Sequence, residues 1–192
     1  DTATFSALFN LATTAGGVDV SGSIFVDGQV AVGPNVSNPA SVVTGYNPAF
    51  ITGGTSPPSD TQDVVSQSAT FPMPPVVVPS GLTCSDNTIQ GNTTVTLSPG
   101  TYCYHNLTIE GNADLLASGD VTIYLTGQLT AQGNSVVGVA SDPSRMLFLM
   151  SSSAGAILQQ TIQGNNTFYG GIYGPEATFT IQGNAEIFGS VI

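Results

Sequence analysis

His105 is the one imidazole in this chain and Arg145 the one guanidinium, and lysine is absent. Nucleophilic catalysis needs a base beside the nucleophile and a third group to orient the base, so any such constellation would have to run through His105. No Gly-x-Ser-x-Gly elbow and no phosphate-cradling loop accompanies it. Carboxylates are more plentiful, with Asp and Glu together numbering 12. A pair such as Asp114 with Asp120 has the side chains for glycoside hydrolysis, but aspartates at turns ordinarily bond the nearby backbone. Asp86, Asp114 and Asp120 offer the oxygens calcium takes, without calcium-loop spacing. Two cysteines and one histidine do not complete a metal centre. The expectation is a non-enzymatic chain with no metal and no cofactor.

The elements that would position these residues are set by a repeat. Thr88-Ile-Gln-Gly-Asn92 recurs as Thr108-Ile-Glu-Gly-Asn112, Thr130-Ala-Gln-Gly-Asn134, Thr161-Ile-Gln-Gly-Asn165 and Thr180-Ile-Gln-Gly-Asn184, in steps of 20, 22, 31 and 19 residues. A short motif at this period marks a solenoid whose copies stack on one another. Within the motif, alternating outward Thr and inward Ile suit a strand, and Gly-Asn suits a corner with positive φ. Asn92, Asn112, Asn134, Asn165 and Asn184 are expected to stack as a hydrogen-bonded ladder, as in cross-β assemblies. Thr88, Thr108, Thr130, Thr161 and Thr180 form a second column, read as a solvated strand face in preference to an ice-ordering one.

Cys84 and Cys103 lie 19 residues apart, one repeat. Neighbouring rungs stand about 4.8 Å apart, inside the Cα separation a disulfide accepts, so a bridge between adjacent rungs and an oxidising compartment are expected.

Outside the repeat, residues 1–33 are read as a short helical cap, from the spacing of Phe5, Leu8, Phe9 and Leu11, followed by the first β rungs. Residues 34–82 hold most of the prolines, including Pro57-Pro58 and Pro74-Pro75, and are read as an irregular excursion along the side of the solenoid. Residues 83–192 are the main solenoid. The last rung ends at Ile192 with no polar cap, which would expose unpaired strand edge. Phe188, Val191 and Ile192 are therefore the expected assembly end, through which copies could stack head to tail into a fibre.

Charged residues are only 7% of the 192-residue chain, and the net charge is −11. Such a surface is built mainly from neutral polar side chains. Without a basic patch it cannot neutralise phosphates, which excludes nucleic acid and anionic membrane surfaces as partners. No apolar stretch reaches the roughly 20 residues of a bilayer span, so no membrane insertion is expected. Asp1-Thr-Ala-Thr-Phe5 does not read as a signal peptide, and the chain is taken as a mature or excised ectodomain.

Four runs carry a resemblance: Ser98-Pro-Gly-Thr-Tyr102, Gly119-Asp-Val-Thr-Ile-Tyr-Leu-Thr-Gly127, Asp142-Pro-Ser144 and Asn166-Thr-Phe-Tyr-Gly-Gly-Ile-Tyr-Gly-Pro175. Together with Ala7-Leu8-Phe9 and the proline-rich middle, they resemble the bacterial β-helical ectodomains attached to PilX-like, type IV pilus assembly proteins. The resemblance implies a right-handed parallel β-helix on the cell surface or outside the cell, with no catalytic residues to carry over. Fold-level likeness extends to bactofilins and to β-helical ice-binding proteins. The functional expectation is a non-enzymatic structural subunit of a surface appendage, pilus-associated or self-stacking. It either displays an adhesive lobe or stacks end to end into a filament, with its own copies or other pilus and surface proteins as partners. The alternative is a monomeric module binding a glycan or ice.

Overall fold

The computed structural model describes residues 73–152 and 158–192 in full and, before them, the backbone of five short strands. Those five are β1 (Leu11–Ala12), β2 (Val26–Asp27), β3 (Val30–Val32), β4 (Ile51–Thr52) and β5 (Val64–Ser66). Twelve more follow: β6 (Ser85–Gly91), β7 (Thr94–Leu97), β8 (Gly100–Gly111), β9 (Asp114–Ala117), β10 (Val121–Leu125), β11 (Leu129–Gly133), β12 (Val136–Gly138), β13 (Met146–Met150), β14 (Leu158–Gly164), β15 (Thr167–Tyr173), β16 (Ala177–Gly183) and β17 (Glu186–Val191). Every pairing between them is parallel, and they coil into a β-solenoid of about five turns.

The repeat fixes the register. Thr88, Thr108, Thr130, Thr161 and Thr180 are successive Cα partners, and Gly91, Gly111, Gly133, Gly164 and Gly183 follow suit. Each rung has three faces. The repeat face stacks β6, the second half of β8, β11, β14 and β16. The second face stacks β7, β9, β12 and the starts of β15 and β17. The third stacks the first half of β8, β10, β13 and the ends of β15 and β17. Strand periodicity then places alternate residues in one continuous core. Ile89, Ile109, Ala131, Ile162 and Ile181 line it from the repeat face, and Phe148 packs on Phe168 with ring centroids 5.1 Å apart.

The 31-residue step is absorbed without breaking the stack. A 3-10 turn at Pro143–Arg145 lengthens the path from the second face to the third. Within β14, Gln160 turns inward and is buried. Its amide accepts from the Leu129 backbone N–H and donates to the Gly127 carbonyl. A side chain thus satisfies backbone groups that the shorter rungs satisfy with backbone, as where Leu107 N donates to Gln128 O.

Proline chemistry shapes the approach to the first rung. Residues 73–83 carry Pro74, Pro75 and Pro79, which lack the N–H a ladder needs, so this stretch lies outside the strands and serves as an acceptor. Tyr173 donates to Pro74 O (2.7 Å) in the fourth rung and Ser151 donates to Val76 O (2.8 Å) in the third. The strap ends at Cys84, bonded to Cys103 with Cα atoms 4.5 Å apart. Residues 73–83 therefore run along the side of the solenoid and are stapled to the first rung.

The fold departs from the sequence expectation at three places. Leu11 and Ala12, assigned above to a helical cap, are strand, and residues 1–10 lie outside the described part. The 34–82 excursion is not wholly irregular, since Ile51–Thr52 and Val64–Ser66 are strands. The last rung is not uncapped. Leu11 pairs with Val191, and β3 and then β5 stack beyond β1, so the N-terminal strands continue the solenoid past its C-terminal rung instead of preceding its first. The repeat spacing shows which residues form rungs but carries no information about their spatial order.

Candidate functional site

The repeat face turns three polar columns to solvent because Thr, Gln and Asn occupy the non-core positions of each motif. The Asn column is fully bonded. Asn184 Nδ2 donates to Asn165 Oδ1 (2.9 Å), Asn165 to Asn134 (2.9 Å), Asn134 to Asn112 (3.0 Å) and Asn112 to Asn92 (2.9 Å). Beside it the backbone makes the same step, each Asn N–H donating to the preceding rung's Gly carbonyl at 2.7 Å. The expected ladder is therefore a structural seam. The Thr column keeps its register, with Thr88 exposed and the other four half-buried.

Between the Thr and Asn columns stand Gln90, Glu110, Gln132, Gln163 and Gln182, which sequence reading did not single out. Only two links join them: Gln163 Nε2 donates to Gln132 Oε1 (2.8 Å), and Gln132 Nε2 donates to Glu110 Oε2 (2.9 Å). These five residues, with Gly91, Gly111, Gly133, Gly164 and Gly183, line a groove of about 770 Å³. The glycine floor has a backbone cause. Gly133 has φ +92°, and a Cβ there would lie 2.4 Å from Gly111 O. Its signal was in the sequence, as the Gln-Gly pair of four motif copies and the Glu110-Gly111 pair of the other.

The candidate chemical residues do not converge. His105 Nδ1 faces Thr126 Oγ1 at 3.1 Å. Arg145 pairs with Asp142 (3.1 Å) inside the 3-10 turn, and Ser144 and Arg145 together hold the Asp142 carboxyl below its ordinary range. Asp114 bridges rungs, accepting from the Val136 N–H (3.2 Å) and the Thr94 hydroxyl (3.3 Å). Asp86 accepts from both the N–H and the side-chain amide of Asn106 (3.0 and 2.9 Å). Among the described residues, no group of three or more His, Cys, Asp and Glu side chains could hold a metal ion. No helix among them is long and apolar enough to cross a membrane.

The end of the solenoid formed by β6 and β7 is finished differently from its interior. Inward columns that read Leu107, Ile123 and Leu125 in the second rung read Asn87, Tyr102 and Tyr104 in the first. Tyr102 Oη donates to Ser98 O (2.9 Å), and the Tyr104 hydroxyl faces the Asn87 side chain. Burial pushes the Tyr104 phenol above its ordinary pKa, and the Asn87 contact offsets part of that. The Ile123 and Leu125 columns thus end in an aromatic body with a polar tip and the Leu107 column in an amide, forms that suit a core meeting water, while the Ile109, Leu115 and Ala117 columns end in the apolar Ile89, Val95 and Leu97. At the opposite end Phe188 is 41% exposed and stacks on Tyr169 (centroids 5.0 Å), Val191 is buried, and Ile192 N–H donates to Ile172 O.

No curated protein and no solved structure matches the chain. Residues 87–192, which hold all five motif copies, match a domain of unknown function, DUF7305. That span covers more than half of the 192 residues, and the chain belongs to the DUF7305 family.

Proposed function

We propose that this chain is a non-enzymatic structural module of an extracellular surface appendage, a closed-ended rod that presents its side to a ligand. The carrying observation lies at the two ends: Asn87, Tyr102 and Tyr104 give three core columns of the first rung polar tips, and β1 covers the last rung at Val191. A rod whose ends are occupied in this way is suited to work along its flank. The Cys84–Cys103 bond fits an oxidising, extracytoplasmic compartment. The resemblance to PilX-linked ectodomains supports placement beside pilus-like machinery, with other surface proteins or a glycan as partner.

A second reading, end-to-end assembly into a filament, is favoured by one feature. The outermost repeat-face strands, β6 and β16, carry the same Thr-Ile-Gln-Gly-Asn motif, so a second copy could continue the register. Light scattering of the purified chain across a hundredfold concentration range separates the two. A constant monomer mass supports the flank reading; growing mass with fibres in the microscope replaces it with the filament reading.

A further inference from the structure

Two neighbouring amide columns on the repeat face differ in how far they satisfy themselves. The Asn column makes all four inter-rung bonds, whereas the Gln column makes two, leaving Gln90 and Gln182 with no side-chain bond to another described residue. A primary amide offers two N–H donors and a carbonyl with two lone pairs. Even Gln132, at the centre, spends one donor and one acceptor on its neighbours and keeps the rest.

We propose that the Gln-Gly groove binds an extended, uncharged β-1,4-linked glycan lying parallel to the solenoid axis; this rests on the flank reading above. Period is the first argument. Rungs recur about every 4.8 Å, close to the advance per sugar of such a glycan, so successive sugars meet successive amides, whereas an extended peptide advances about 3.4 Å per residue and loses register by the next rung. Chemistry is the second. Amides that both donate and accept match sugar hydroxyls, which do the same, and the glycine floor lets the sugar approach the backbone. Charge is the third. The lining holds one carboxylate, Glu110, and no cation, and the chain's net charge of −11 opposes polyanions.

The test is calorimetric titration of the full chain with cellohexaose, repeated on Gln132→Ala, Gln163→Ala and, as a control on the third face, Thr122→Ala. Saturable binding is expected, weakened about five-fold by each Gln substitution for the loss of one hydrogen bond, and unchanged by Thr122→Ala. Melting curves on the same samples confirm that the surface substitutions leave the fold intact. No saturable heat with cellohexaose at millimolar concentration, or binding that both Gln variants retain in full, overturns the proposal. Light scattering reads the association state separately: a monomer that binds no cellohexaose removes the groove assignment alone, while a polymer removes the flank reading beneath it.

Discussion

Removing the disulfide should loosen one end of the rod and spare the middle. The Cys84→Ser/Cys103→Ser chain loses a cross-link closing a loop of 19 residues. On the chain-entropy account, a loop of that length is worth about 3 kcal/mol. Where that loss falls follows from the architecture. In a stack of rungs each unit is held by its neighbours, and the terminal unit has only one. The first rung buries Ile89 and Leu97 while Val95, Tyr102 and Tyr104 are half-buried, whereas Leu107, Ile109, Ile123, Leu125 and Leu129 above it are all 0% exposed. Its own margin is therefore thin, and about 3 kcal/mol is a large share of it. Hydrogen exchange with peptide-level resolution is the assay. In the variant, amides of 85–97 should exchange roughly a hundredfold faster, the equivalent of about 3 kcal/mol, while those of 121–150 keep their protection. Equal loss of protection along the whole solenoid would refute the view that rungs open from this end. An unchanged exchange pattern would refute the view that the bond holds the first rung at all.

Other consequences of the geometry are open to direct measurement. Asn134→Ala breaks two ladder bonds and Asn92→Ala one, so in urea denaturation the first should cost about twice the second, roughly 1–2 against 0.5–1 kcal/mol. Gly133→Ala puts a Cβ against Gly111 O at positive φ and should cost more than 2 kcal/mol or so, whereas Gly81→Ala meets open space and should show only the smaller backbone cost of its own positive φ. Tyr104 titrates above its ordinary value in the folded chain, so its contribution is complete below about pH 10 and fades as pH rises through the folded pKa. Melting temperature should accordingly drop above about pH 10, and Tyr104→Phe should shrink that drop.

The repeat made the solenoid legible because one face is buried: a register slip of one residue would turn every Ile of the motif outward. The Asn seam and the Cys84–Cys103 bond followed from the same period. What stayed hidden depends on long-range order. Nothing in the spacing of Leu11, Val30 and Val64 tells that their rungs sit beyond Val191, because a strand can pair in parallel with either edge of a stack. The polar-tipped end was written in the exchange of Leu107, Ile123 and Leu125 for Asn87, Tyr102 and Tyr104, but reading it required the register. The Gln column was visible as a repeat residue. Its difference from the Asn column lies in hydrogen bonds that only coordinates reveal.

The central claim is that the rod is finished at its ends and works along its side. Analytical ultracentrifugation of the chain beside the triple variant Asn87→Leu/Tyr102→Ile/Tyr104→Leu, which gives the first rung the core residues of the second, tests it most directly. The account predicts that the native chain sediments as a monomer at every concentration while the variant, with its apolar end bared, associates. A native chain that itself forms long particles would contradict it.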